Sequence, residues 1–185
     1  MSSRGSAKAT NLADIHACDL ATSSKLATYL RSTAVPAFAN ELQAGRVRAS
    51  SATVLTREHV GQLLSIFANL GGITSMHETG RATYLVGEVR AVLARPDCTD
   101  VESRTALAGL IEAVRSGELI DRTLTAALTD GGAVLVDGNK RAAAMYEAAG
   151  TMPIRIPMRL PIYLLEATAG VLALEGLLAG SINYV

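Results

Sequence analysis

Apolar residues recur mostly every three or four positions along this chain, the spacing that places them on one face of an α-helix. Seven stretches show this pattern: 12–44 (interrupted at Pro36), 56–68, 80–94, 99–117, 119–128, 142–149 and 162–178. Thr56 and either Thr99 or Asp100 stand where helix N-caps are expected. Glycines follow several of the stretches and are typical of helix ends. The pattern therefore predicts a chain built mainly from helices.

Strand patterns are scarce by comparison. Residues 154–160 alternate apolar and polar positions, but Pro157 favours an extended edge or a connector over a central strand. Residues 46–51 are polar and are predicted to be a connector. The predicted fold class is therefore all-α, with at most a small β-hairpin.

Composition agrees with a helical core and limits the range of partners. The 185 residues are 49% hydrophobic but only 4% aromatic, so Ala, Leu and Val must build the core. Seventeen Lys and Arg balance seventeen Asp and Glu. This balance argues against bulk binding to nucleic acid or to an anionic membrane surface. The start of the chain has no apolar leader, and the late apolar run 167–174 is too short to span a membrane. We expect a soluble, cytoplasmic protein.

One segment, residues 133–141, concentrates the candidate chemistry. Gly138 precedes a predicted helix, where a backbone without a side chain lets a ligand approach the first-turn N–H groups and where the helix dipole attracts an anion. Lys140 and Arg141 put two cations at that end, where the dipole disfavours them unless an anion compensates. Asp137 offers oxygen ligands to a divalent ion. The alternative interpretation is an ordinary Asp-Gly-Asn turn followed by solvated Lys and Arg side chains.

This segment resembles the signature of the Fic/Doc family, His-x-Phe-x-Asp/Glu-Gly-Asn-Lys/Gly-Arg. Residues 137–141 match without a gap, Leu135 replaces the Phe, and Lys140 is typical of the Doc branch. The resemblance implies a compact Fic/Doc-type helical bundle that moves a phosphoryl or AMP group from ATP, or another nucleoside triphosphate, to a protein hydroxyl. It also implies that Asp137 holds Mg²⁺, and that Gly138, Asn139, Lys140 and Arg141 bind the phosphates. Asn139 and Arg141 are implied to be catalytic as well.

The family's general-base His corresponds to Ala133, and a methyl group cannot accept a proton. Loss of a general base typically lowers a rate by about 10²–10⁴-fold. This form is therefore expected to be inactive or impaired. Either an engineered substitution or a natural pseudoenzyme accounts for Ala133. The other functions left open are a nucleotide- or phosphate-binding regulator and a Fic-like biosynthetic enzyme acting on a small molecule.

The resemblance also implies an organisation and partners. Residues 1–50 are predicted to be a partly helical N-terminal extension and 51–185 a Fic/Doc-like domain. Residues 70–77 correspond to a flap that docks the protein target, and Glu78 is a candidate inhibitory residue. A toxin-like protein modifier of this family implies a hydroxyl-bearing protein substrate and an antitoxin protein as partners.

Overall fold

The computed structural model describes residues 12–33, 36–65, 69–70, 73–74, 84–96, 98, 100–118, 120–129, 132–151 and 158–168. The strands are β1 (Leu12–Ala17), β2 (Val47–Val54), β3 (Leu64–Ser65), β4 (Asn69–Leu70), β5 (Ile73–Thr74), β6 (Tyr84–Leu85), β7 (Leu124–Thr129), β8 (Gly132–Asp137) and β9 (Leu160–Ala167). The α-helices are α1 (Leu20–Leu30), α2 (Pro36–Gln43), α3 (Arg57–Gly61), α4 (Val89–Leu93), α5 (Val101–Ser116) and α6 (Asn139–Thr151). A 3₁₀ turn, Val86–Glu88, leads into α4.

A mixed sheet of seven strands forms the centre of the described structure, in the order β1-β2-β9-β7-β8-β3-β6. Strand β9 runs parallel to β7, and β8 runs parallel to β3, while the other neighbours are antiparallel. The predicted all-α class is therefore wrong, and with it the helical bundle that the family resemblance implied. The protein belongs to the mixed α/β class.

Strand β7 was predicted as a helix, and β8 as part of the segment between two helices, because both faces of these strands are buried. In β7 and β8, five and three of the six residues are buried, so neither strand shows the alternation of a half-exposed strand. A short apolar run of this kind does not distinguish a strand from a buried helix. The predicted helices at 119–128 and 162–178 therefore overlap β7 and β9, and the predicted connector at 46–51 overlaps β2.

Helices with clear end signals were predicted more closely. The Asp100 carboxylate caps α5 by accepting a hydrogen bond from the Ser103 N–H at 2.9 Å, and α5 ends before Gly117, whose φ is +78°. Thr56 caps α3, but α3 ends at Gly61 and does not continue to residue 68. Within the predicted helix 80–94, the described part holds β6, the 3₁₀ turn and the short α4.

Helices cover the sheet on both faces. Helices α1 and α2 pack on one face, in an apolar cluster that includes Phe38 and Leu165. Helices α3 to α6 pack on the other face, in a cluster that includes Leu135 and Leu164. Successive residues of β9, Leu164 and Leu165, thus belong to opposite clusters, as the alternation of a strand requires. No helix in the described ranges has the length and apolar character needed to cross a membrane.

The strand β1 lies at one edge of the sheet and is irregular. Its pairing with β2 shifts register between Ala13 and His16, and Asp14 has a left-handed φ of 53°. Residues 14–17 are exposed. Through β1, the N-terminal part of the described chain nevertheless belongs to the same sheet as β2. Strand β2 itself crosses the predicted domain boundary between residues 50 and 51.

A separate antiparallel pair, β4 and β5, falls in the segment predicted to be a target-docking flap. Its backbone places Leu70 opposite Ile73. His77 and Glu78 lie outside the described residues, so the flap's docking role and the inhibitory role of Glu78 stay predictions.

Candidate functional site

The junction between β8 and α6 contains five of the six residues singled out from the sequence. Strand β8 ends at Asp137, Gly138 turns the chain with a φ of +84°, and α6 begins at Asn139. The Gly138 carbonyl accepts the first helical hydrogen bond, from the Ala142 N–H at 2.8 Å. A buried strand therefore delivers Asp137 to the end of the sheet, and the helix that follows presents its positive end there.

Arg141 lies in the first turn of α6 and binds two carboxylates. Its Nη2 donates to Asp137 Oδ2 at 2.6 Å, and its Nη1 donates to Asp121 Oδ2 at 2.7 Å. The Arg141 and Asp137 side chains are 17% and 22% exposed, whereas that of Asp121 is 63% exposed. The more buried ion pair of Arg141 is therefore the one with Asp137. Asp121 contacts the guanidinium on the side that faces the solvent.

These contacts shift the pKa values of both members of the more exposed ion pair, Asp121 and Arg141. Burial acts to raise the pKa of Asp121, but hydrogen bonds from the Thr123 backbone and the charge of Arg141 outweigh it, so this pKa lies below its usual value. Burial acts to lower the pKa of Arg141, but the charges of Asp137 and Asp121 outweigh it and raise this pKa. Both groups are charged at neutral pH.

Tyr29 of α1 reaches the same carboxylate from the opposite face of the sheet. Its hydroxyl donates a hydrogen bond to Asp137 Oδ2 at 2.8 Å. Burial, followed by this bond and by the negative charge of Asp137, raises the pKa of Tyr29. Because α1 and α6 cover different faces, Asp137 links both helical layers at the end of the sheet.

The Asn139 side chain is occupied within the protein. Its Oδ1 accepts a hydrogen bond from the Ser65 hydroxyl at 2.8 Å, and its Nδ2 donates to the Leu135 carbonyl at 3.3 Å. These bonds attach the start of α6 to β3 and to the preceding strand. Lys140, the next residue, is half-buried in the same helical turn.

Ala133 does not lie with the other predicted site residues. It pairs with Leu128 near the β7–β8 turn and packs against the apolar cluster under α3 to α6. Three residues of extended strand lie between it and Asp137, a span of about 13 Å. The structure brings together Asp137, Gly138, Asn139, Lys140 and Arg141 and leaves position 133 at the far end of β8.

A cavity of about 390 Å³ opens beside Asp137, between α1 and the sheet. Its lining includes Lys25 and Tyr29 from α1, Asp121 and Thr125 around the start of β7, and Tyr163 of β9. None of these five was singled out as a site residue from the sequence, because they come from three distant segments and share no motif. No local signal in the sequence marks Tyr29 as a partner of Asp137.

Comparisons with protein-family models, with curated proteins and with solved structures give no match for this chain. The Fic/Doc resemblance therefore rests on the short motif 137–141 alone. In the described ranges, no three His, Cys, Asp or Glu side chains come together as a protein-made metal site requires. A divalent ion here would take Asp137 as a ligand and complete its shell with phosphate oxygens and water, the usual arrangement for Mg²⁺.

Proposed function

We propose that this protein binds the phosphate groups of a nucleoside triphosphate at the junction between β8 and α6. The observation that supports this function is the placing of Lys140 and Arg141 in the first turn of a 13-residue helix, directly after the left-handed Gly138. Cations are unfavourable at that end of a helix unless an anion compensates them, and for Arg141 the more exposed of its two carboxylate partners, Asp121, is one that a ligand can displace. Phosphates commonly bind where a glycine turn opens a helix after a strand.

Without a ligand, the positive charge of Arg141 is neutralised by carboxylates of the protein itself. Asp121 and Asp137 already occupy two guanidinium nitrogens of Arg141. A triphosphate would replace Asp121, the more exposed of the two, and would meet the N–H groups that the first turn of α6 cannot satisfy itself. Mg²⁺, held by Asp137 and the phosphates, would neutralise the remaining negative charge.

Binding of Mg²⁺–ATP by isothermal titration tests the proposal. Lys140→Gln and Arg141→Gln are each expected to weaken binding about tenfold, because each removes a charge-assisted hydrogen bond. Arg48→Gln is the matched control, since Arg48 pairs with Glu166 at the surface of β2 and β9. The proposal fails if Mg²⁺–ATP does not bind at millimolar concentration, or if all four proteins bind it equally.

A second candidate is the transfer of a phosphoryl or AMP group to a hydroxyl, as the sequence motif implies. One observation favours it: Asp137 already accepts a hydrogen bond from the Tyr29 hydroxyl, so this carboxylate is placed to accept a hydroxyl proton. Such a reaction would use Asp137 as its base instead of as a ligand to Mg²⁺, and would not need a His at position 133. A hydroxyl-bearing protein substrate and an antitoxin belong to this candidate alone.

An assay in cell extract with ATP labelled at the α or the γ position tests the transfer. If Asp137 is the base, the chain with Ala133 labels a protein, Asp137→Asn abolishes the label, and Ala133→His changes little. Labelling by Ala133→His alone would instead make position 133 the site of the base. The labelled position distinguishes AMP transfer from phosphorylation.

A further inference from the structure

The cavity beside Asp137 is lined by a hydroxyl-bearing side chain for which the described residues supply no hydrogen-bond partner, that of Thr125. Thr125 is 2% exposed and lines the cavity, opposite Asp137 in the β7–β8 pairing. Nowhere in the described part of the chain does a residue form a hydrogen bond with its hydroxyl. Because Thr125 lines the cavity, a ligand or water there would supply the hydrogen bond that its hydroxyl does not make within the described residues.

The other groups around Thr125 define the chemistry of that ligand. Thr123 and Tyr163 also present hydroxyl-bearing side chains to the cavity, Asp137 offers carboxylate oxygens and Lys25 offers an ammonium group. Hydroxyls donate and accept, carboxylates only accept, and ammonium groups only donate. An apolar ligand would leave the Thr125 hydroxyl without a partner, and a further phosphate would face the carboxylates of Asp121 and Asp137.

We propose that this cavity binds a polyhydroxylated group of the size of a sugar ring, with the Thr125 hydroxyl as one of its hydrogen-bond partners. A sugar hydroxyl can donate to a carboxylate and accept from a threonine or an ammonium group, so it matches the lining without adding charge. The volume of about 390 Å³ is sufficient for such a ring.

Two sources can supply this group. The first is the ribose of the nucleotide bound at the junction, and in this form the inference rests on the proposed function. The cavity begins at Asp137, so a ribose could enter it while the phosphates contact Arg141 and the start of α6. The second source is a separate sugar or polyol, which does not require nucleotide binding.

Titration calorimetry with four probes separates these cases: Mg²⁺–ATP, Mg²⁺–2′,3′-dideoxy-ATP, tripolyphosphate and D-ribose. The variant is Thr125→Val, which removes the hydroxyl and keeps the shape. Thr105→Val is the control, because Thr105 lies on α5, where its hydroxyl donates to the Val101 carbonyl. Thermal unfolding without ligand adds an independent readout, since loss of an unpartnered hydroxyl should leave Thr125→Val at least as stable as the natural chain.

For a ribose ligand, ATP binds about tenfold more tightly than dideoxy-ATP, and Thr125→Val removes that difference without changing tripolyphosphate binding. For a separate ligand, D-ribose binds the natural chain and Thr105→Val but not Thr125→Val, and the two nucleotides bind alike. The inference is overturned if tripolyphosphate binds while D-ribose does not and ATP and dideoxy-ATP bind equally; the proposed function then survives. If D-ribose binds but tripolyphosphate and the nucleotides do not, the inference survives and the proposed function fails. If no probe binds, both the inference and the proposed function are rejected.

Discussion

Arg141 forms ion pairs with two carboxylates of the candidate site, those of Asp137 and Asp121. It is held by one carboxylate that is mostly buried and by another that is mostly exposed. The exposed partner, Asp121, occupies the side from which an anionic ligand would approach. In the absence of a ligand, Asp121 thus accepts a hydrogen bond from the Arg141 nitrogen that Asp137 does not bind.

Replacing Asp121 should therefore improve phosphate binding. Asp121→Asn is expected to raise the affinity for tripolyphosphate about two- to fivefold, the range typical of an exposed ion pair. Glu166→Gln is the matched control, because it also removes an exposed carboxylate paired with an arginine. Equal affinities of the two variants in calorimetric titration would show that Asp121 does not compete for Arg141.

Tyr29 gives a prediction for alkaline pH. Burial and the bond to Asp137 raise its pKa, so the folded state favours the neutral hydroxyl. Its contribution to stability is complete below the ordinary tyrosine pKa of about 10 and is lost as the pH rises through the higher folded value. The ultraviolet absorbance of tyrosinate, titrated for the natural chain and for Tyr29→Phe, measures this directly. The difference between the curves should have its midpoint above that of free tyrosine, and a midpoint at or below it would contradict the Tyr29–Asp137 bond.

At the scale of elements, the turn from β8 into α6 depends on a glycine. Gly138 has a left-handed φ of +84°, and a Cβ there would lie 2.6 Å from Leu124 Cδ2. Other residues adopt this conformation only with strain, and the side chain of Leu124 would have to move as well. A glycine at this position thus allows the tight turn from β8 into α6.

Gly138→Ala is expected to lower the free energy of unfolding by about 1–3 kcal/mol. Gly109→Ala provides the contrast, because Gly109 lies inside α5 with nothing within 4 Å of an added Cβ. That substitution should raise the free energy of unfolding by about 0.5–1 kcal/mol. Urea unfolding of both variants measures the two effects, and similar values for the two would exclude strain at Gly138.

The sequence predicted elements well where their ends carry local chemistry. Asp100 and Gly117 mark α5 by capping and by a left-handed turn, both of which depend on neighbouring residues alone. In contrast, Leu124–Thr129 has no local sign of being a strand, because its hydrogen bonds come from β8 and β9. The motif 137–141 covers one part of the candidate site, but Tyr29 and Thr125 come close to it only through the sheet and could not be found from spacing.

The whole molecule depends on two apolar layers that share one sheet. Leu135 and Leu165 are both 0% exposed, and they belong to the clusters on opposite faces. Because β8 and β9 each contact both layers, loss of packing on one face weakens the strands that support the other. We expect the described elements to unfold as one cooperative unit.

Leu135→Ala and Leu165→Ala should each lower the free energy of unfolding by about 2–5 kcal/mol. Leu20→Ala is the control, since Leu20 is 85% exposed and its loss should change the free energy by less than about 0.5 kcal/mol. Circular dichroism in the far and near ultraviolet should give coincident transitions for every variant. Separate transitions for the two core variants would show that the two layers unfold independently.

The irregularity of β1 has a consequence for how the chain behaves among its own copies. A straight, open strand edge is a template on which a strand from another molecule can be laid, and repeated additions lead to fibrils. In β1 the left-handed Asp14 and the register shift before His16 divide that edge into short pieces. Polar side chains at both positions make a dry intermolecular contact costly. The irregular backbone of β1 thus disfavours the addition of a strand from another copy of the chain at this edge of the sheet.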